Sequence, residues 1–231
     1  MKICTALFFS SIIWFSQCKD SKNETTAHLH WMDSYKDPFL KNVNDSLKHL
    51  IPILDSILRD DQKYRNVQDA TLFERNQKKQ HALDIVNVKK ITEIIDKHGW
   101  LGIKDIGFFG SQAINMVMIH CDVNTKRKYY PKLVDAFRMQ KVFSEPVAMY
   151  EDKMNLMLLR RQHYGTQISQ FKGNSILYPV VDLNNIDSIR HSIGILPIKM
   201  YIAKFAKPDV DMTIYKKNLP EIIRTFKVVD S

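Results

Sequence analysis

Between Val43 and Leu58 the apolar residues Val43, Leu47, Leu50, Ile51, Leu54, Ile57 and Leu58 fall at three- and four-residue steps. That spacing draws one stripe along a helix reaching about Arg65, kinked or restarted at Pro52, which lacks an N–H and crowds the preceding turn. A second helix is predicted from about Phe73 to His98, with Ala82, Ile85, Val86, Ile91, Ile94 and Ile95 turned inward. Gly99 is its stop, where a left-handed residue closes the last turn. Further helices are predicted over about 112–121, 126–141 and, through Pro146, 147–161. The period then changes. Residues 167–171 and 175–180 alternate, or carry aromatic and β-favouring side chains, on either side of Lys172-Gly173-Asn174, which reads as a hairpin with a glycine-bearing turn. A hairpin is marginal alone, so it should lie against helices. Two short ones follow, 186–193 with Gly194 as its stop and 197–206, and the remaining 207–231 reads as a C-terminal extension with a weakly helical stretch at Leu219–Phe226. The pattern predicts a mainly α chain: a compact helical domain over 42–206, of about five to seven helices, with a small two-stranded β-hairpin.

The first residues read as an address. Lys2 precedes an apolar run from Ile3 to Phe15, the length of a secretory leader and short of the roughly 20 residues that span a bilayer as a helix. The run ends in Phe15-Ser16-Gln17-Cys18 and turns abruptly polar. This layout is similar to a bacterial lipoprotein signal, with residues 1–17 removed and Cys18 lipidated, although Gln17 stands where a small residue is usual. Residues 18–41 then form the lipidated Cys and a polar tether. The chain is expected in the cell envelope, anchored to the membrane through lipid at Cys18, or secreted if Cys18 carries none.

Composition sharpens this picture in three respects. With 45% hydrophobic and 26% charged residues a packed core is expected. Seven glycines are too few for an all-β sandwich, and no glycine-rich phosphate loop is present. Of three cysteines, Cys4 leaves with the leader and Cys18 carries lipid, so Cys121 has no partner for an internal disulfide. The formal charge of +9 becomes +8 once Lys2 is lost with the leader. The basic residues are scattered in pairs, and an extracytoplasmic protein rarely meets nucleic acid, so a nucleic-acid partner is not expected. The tightest cluster, Lys126-Arg127-Lys128, reads as a solvated helix start or a polyanion contact.

Candidate chemistry gathers in a few stretches. Asp61, Gln62 and Arg65 close the first helix, with Asp61 and Arg65 one turn apart on one face. They form either an exposed ion pair of little energetic worth or a partly buried pair presenting Arg65 to an anionic ligand. His98-Gly99-Trp100 serves as a helix stop, with His98 at the negative end of the helix dipole and Trp100 docked, or supplies a general base. His120 lies on an apolar stretch, where a satisfied core histidine competes with a catalytic one. Cys121 points about 100° away from it and makes no Cys–His dyad. No metal-binding spacing is present; a metal would have to gather His98, His120 and Asp61 from separate helices. In Gln162-His163-Tyr164-Gly165-Thr166-Gln167, Gly165 permits a positive φ, while Tyr164 and Gln167 can reach buried partners or cap backbone freed where helix passes to strand. No nucleophile elbow is found.

In order, Asp61-Gln62-x-x-Arg65, Asn87 ahead of His98-Gly99-Trp100, the lone His120, Gln162-x-Tyr164-Gly165-Thr166-Gln167, and Asp187-x-x-Arg190-x-x-x-Gly194 with Pro197 resemble the signatures of the bacterial domain-of-unknown-function family 6624. The likeness spans about residues 45–205. Leu101 departs from it where the family has Pro, which relaxes the turn after Trp100. The resemblance implies a mostly helical domain with a small hairpin and brings no activity with it. It also implies that polar side chains from separate segments meet, either in a pocket or in a buried network that fixes the packing. The expected function is therefore a cell-envelope lipoprotein with a binding or scaffold module. Asp61, Gln62, Arg65, Trp100, Tyr164 and Gln167 would line its polar site and hold a small anionic ligand. The alternative is a hydrolase or transferase with His98 or His120 as general base.

Overall fold

The computed structural model describes residues 37–65, 70–205 and 210–229. The leader, Cys18 and most of the expected tether lie outside the described residues. The chain is mainly helical with one two-stranded antiparallel hairpin, as the residue pattern predicts; eight α-helices occupy the described residues. They fall into two compact units, residues 37–120 with 138–142 and residues 121–137 with 143–229.

In the first unit two 3-10 turns, Pro38–Asn42 and Asp45–Leu50, lead into α1 (Ile51–Gln62), which restarts with Pro52 in its first turn and buries Leu54, Ile57 and Leu58. α2 (Ala70–His98) stops at Gly99, whose φ is +74°. Its C-terminal half buries Ile91, Ile94 and Ile95 as expected, but Ala82, Ile85 and Val86 are exposed. The inward positions there are Gln80, Asp84 and Asn87, at the same three- and four-residue steps as Ile91, Ile94 and Ile95. The apolar stripe thus gives way to a polar one on a single continuous face. α3 (Ile103–His120) begins earlier than its apolar pattern suggests and is broken at Gly107 (φ 77°, ψ 175°). Past the break, Asp37 Oδ2 accepts the backbone N–H groups of Phe108 (2.5 Å) and Phe109 (3.3 Å), capping the restarted helix. A Cβ on Gly107 would stand 2.6 Å from that oxygen. Asp37 is thus a structural cap, although its position in the sequence assigns it to the tether.

In the second unit, α4 (Val123–Arg138) and α5 (Ser144–Met157) precede β1 (Ile168–Phe171) and β2 (Asn174–Leu177). Ile168 pairs with Leu177 and Phe171 with Asn174. Lys172 and Gly173 both have positive φ, 50° and 79°, so the connection is a two-residue primed turn, whose twist matches that of the strands. α6 (Ile186–Ser192), α7 (Ile198–Phe205) and α8 (Met212–Thr225) follow. Ile176 and Leu177, which point to opposite faces of the hairpin, are both buried and belong with Ile186, Ile198, Tyr215 and Ile222 to one core. Tyr215 and Ile222 come from α8, so the segment read as a C-terminal extension fills the centre of this unit.

Candidate functional site

The last turn of α1 carries Asp61 and Gln62 into the first unit, and Arg65 follows one turn on. Arg65 Nη2 lies 3.1 Å from Asp61 Oδ1, the pair that the four-residue spacing predicts. The same nitrogen lies 2.5 Å from Asp84 Oδ1, brought up by α2. Gln80, one turn earlier on α2, ties the helices together. It donates to Asp84 Oδ1 (2.8 Å) and the Asp60 carbonyl (3.3 Å) and accepts the Tyr64 N–H (3.0 Å). Gln62 Nε2 donates to Asp61 Oδ2 at 2.6 Å. From the end of α3, His120 Nδ1 stands 3.1 Å from both oxygens of Asp61.

Burial alone would raise the Asp61 carboxyl, but the charges and hydrogen bonds of His120 and Arg65 outweigh it and hold it well below the ordinary carboxylate range. Asp61 is therefore an anion that only accepts, and His120 Nδ1 must carry the proton that joins them. Two carboxylates flank one guanidinium, so the Arg65 charge is already answered. The side chains of Asp61 and His120 are 1% and 3% exposed, whereas those of Arg65 and Asp84 are 11% and 19% exposed. Whatever reaches the cluster from solvent meets Arg65 and Asp84 first. Four buried polar atoms of this face have no hydrogen-bond partner among the described residues: Gln62 Oε1, Arg65 Nε and both the oxygen and the nitrogen of the Asn87 amide.

His98 and Trp100 stay outside this network. The His98 ring meets His49 edge-on at 6.5 Å, and Trp100 is buried, its indole N–H donating to Asn115 Oδ1 at 3.2 Å. With Gly99 at positive φ between them, the stretch has the geometry of a helix stop. Among the described residues no three His, Cys, Asp or Glu side chains are grouped to hold a metal ion, so Asp61, His98 and His120 do not form a ligand set.

Tyr164 and Gln167 belong to the second unit, around a residue that sequence reasoning missed. Asp152 on α5 is fully buried. Its Oδ1 accepts the N–H groups of His163 (2.7 Å) and Tyr164 (3.0 Å), and its Oδ2 accepts the N–H and hydroxyl of Thr166, both at 2.9 Å. Burial raises its carboxyl, and these four bonds oppose the rise. Gln162 uses its whole amide on backbone, donating to the carbonyls of Gln167 (3.2 Å) and Tyr178 (2.7 Å) and accepting the Gln167 N–H (2.9 Å). The Gln167 side chain donates to Thr166 Oγ1 at 3.1 Å. Asp187 accepts the Ile198 N–H at the start of α7 (2.6 Å), and Arg190 donates to the carbonyls of Leu196 and Tyr164. Arg190 Nη2 has no hydrogen-bond partner among the described residues, though its guanidinium lies 4.7 Å from the Tyr201 ring centroid. Tyr201 in turn donates to the Thr166 carbonyl at 2.9 Å. The Tyr164 phenol is pushed up to about 12, by burial first and then by Glu151 and Asp152. Nearly every polar atom of this motif is spent on backbone that the helix-to-hairpin passage leaves unpaired. Gly165, at φ +67°, is the hinge of that passage.

Lys126 also departs from its sequence reading. It is fully buried, with Nζ 4.0 Å from the Tyr150 ring centroid, while the Tyr150 hydroxyl donates to the Lys126 carbonyl at 2.8 Å. Asp122 caps the start of α4 by accepting from the Asn124 and Thr125 N–H groups, which sets Lys126 in the first full turn. Burial lowers its amine to about 7 against the opposing pull of Cys121 and Asp122, and burial likewise raises the Cys121 thiol to about 11. No protein-family model, no curated protein and no solved structure matches the chain.

Proposed function

We propose that this is a lipid-anchored protein of the cell envelope, related to the domain-of-unknown-function family 6624, whose first helical unit is a binding module. One observation carries the binding reading. In the polar motif of the second unit Asp152, Gln162 and Thr166 are spent on the chain and Arg190 Nη2 is the atom left open, beside the Tyr201 ring, whereas the face bearing Gln62, Arg65 and Asn87 keeps four buried polar atoms without partners among the described residues. A network selected only for packing is expected to satisfy its members, because each orphaned buried group costs about 1 to 3 kcal/mol. The charge balance argues for a neutral or cationic ligand rather than the anionic one expected at Arg65, because Asp61 and Asp84 already share that guanidinium.

Two measurements test the proposal. Cys18→Ala should abolish palmitate labelling and release the protein from the membrane fraction; unlabelled wild-type protein would remove the anchor from the proposal. A thermal-shift screen of the full chain in detergent should find a small molecule whose stabilisation is lost in Arg65→Met and kept in Gln167→Ala. The opposite dependence would move the site to the second unit and refute the reading.

The Asp61–His120 geometry favours a second reading. A buried carboxylate 3.1 Å from His120 Nδ1 orients the imidazole and stabilises its protonated form, the pairing through which a histidine takes part in proton transfer in a hydrolase or transferase. Activity on a panel of chromogenic esters, phosphates and glycosides that vanishes in His120→Gln would favour it; identical traces for the two proteins would remove it.

A further inference from the structure

Resting on the binding reading above, we propose that the ligand enters the Gln62–Arg65–Asn87 face through an uncharged carboxamide group, with Asn87 as the residue that selects it. Asn87 is 1% exposed and Gln62 4% exposed, and neither the oxygen nor the nitrogen of the Asn87 amide meets a partner among the described residues. Asn87 follows Asp84 by three positions, on the same face of α2 and within about one helical turn of it. Asp84 Oδ1 lies 2.5 Å from Arg65 Nη2, and the same guanidinium reaches Asp61, which accepts from Gln62. Gln62, Asp61, Arg65 and Asp84 are therefore bonded into one group, and the open Asn87 amide lies about one turn along the same face of α2 from it.

The donor and acceptor inventory selects the ligand class. Asn87 Nδ2 and Arg65 Nε offer protons, while Asn87 Oδ1 and Gln62 Oε1 need them. Sulfate brings acceptors only and leaves both amide oxygens orphaned, and phosphate, which keeps a hydroxyl donor near neutrality, still brings its negative charge against Asp61 and Asp84. An ammonium group brings donors only, leaving Asn87 Nδ2 and Arg65 Nε unanswered. A carboxamide carries one acceptor and adjacent N–H donors in a plane, and pairs with another amide through two antiparallel N–H···O bonds. A site built from paired donors and acceptors rejects analogues that lack either half, since the buried groups are then left unpaired.

The test is a thermal-shift titration of the full chain in detergent with acetamide, a blocked alanine dipeptide, glycerol, inorganic phosphate and spermidine. Acetamide or the dipeptide should raise the melting temperature by about 3 to 6 °C once it exceeds its dissociation constant about tenfold. Which of the two is stronger separates a free amide from a peptide as the source. Asn87→Leu should abolish that response without lowering the melting temperature of the free protein, because an apolar side chain of similar size replaces an unpaired amide. Stabilisation by phosphate, spermidine or glycerol in place of the amides would overturn the carboxamide class and leave the binding reading standing. No response to any of the five, with a clear loss of melting temperature in Asn87→Leu, would mark Asn87 as a structural residue and overturn both.

Discussion

Replacing Lys126 by Met should make the protein more stable near neutrality and erase a rise of stability toward alkaline pH. Burial brings the Lys126 amine from its ordinary 10.5 down to about 7. Below about pH 7 the folded and unfolded chains both hold the proton, and the fold bears the full desolvation cost of a buried ammonium beside the Tyr150 ring. Between about 7 and 10.5 the unfolded chain binds a proton that the folded chain has released, so stability increases with pH at up to about 1.4 kcal/mol per unit. Over the whole interval this amounts to about 5 kcal/mol. The assay is urea denaturation of both proteins followed by circular dichroism at pH 6, 7, 8, 9 and 10 and constant ionic strength. Cys121, pushed up to about 11, works in the opposite sense above pH 9, but it is present in both proteins and largely cancels in their difference. The advantage of Lys126→Met should be several kcal/mol at pH 6 and 7 and shrink steadily to pH 10. Stability curves that run parallel across this range would mean that Lys126 keeps its proton when folded, and the burial argument would fall.

Three further outcomes can be checked with the same denaturation assay. Asp61→Ala should cost about 3 to 5 kcal/mol at pH 7, because it strips a buried carboxylate from Arg65 and His120. Since the Asp61 carboxyl is held below its ordinary 3.8, its contribution is complete above about pH 4 and disappears as the pH falls further, so the variant should show the flatter acid limb. Gly165→Ala should cost about 1 to 3 kcal/mol, since φ is +67° there and an added Cβ would stand 3.0 Å from Ile198 Cδ1. Asp152→Asn should cost about 3 kcal/mol or more, because one amide oxygen cannot replace two carboxylate oxygens that accept four bonds, and the binding proposed for the first unit should survive it.

Helices and the hairpin were legible wherever one physical preference acted alone. The restart at Pro52, the positive φ at Gly99 and Gly194, and the Lys172-Gly173 turn follow from local chain chemistry, which needs no knowledge of distant residues. The break at Gly107 was not legible, because the group that caps the restarted helix is Asp37, some 70 residues earlier and polar enough to read as tether. Lys126 was misread because a basic triplet at a helix start is ordinarily solvated. Only the Tyr150 ring, 24 residues on, makes its burial intelligible.

For the candidate site, the Asp61–Arg65 pair was visible in its four-residue spacing, and His120 entered through its place in an ordered set of motifs. Asp84 and Gln80 were missed because polar residues on a long helix look like its solvent face. The available signal was the step pattern: 80, 84, 87, 91, 94 and 95 continue one stripe, and its switch from apolar to polar halfway along places the cluster. Natural sequences break their own packing rules chiefly where function requires it. The same test separates the two polar motifs. In the second unit Asp152, Gln162 and Asp187 answer backbone groups left open by a chain reversal at Gly165, a need any sequence folding this way must meet. In the first unit Gln80 answers the Asp60 carbonyl and the Tyr64 N–H at the end of α1, whereas the buried Asn87 amide answers no backbone group among the described residues. On the binding reading proposed above, that difference assigns Gln62, Arg65 and Asn87 to a ligand, while Gln162, Thr166 and Gln167 serve the chain itself.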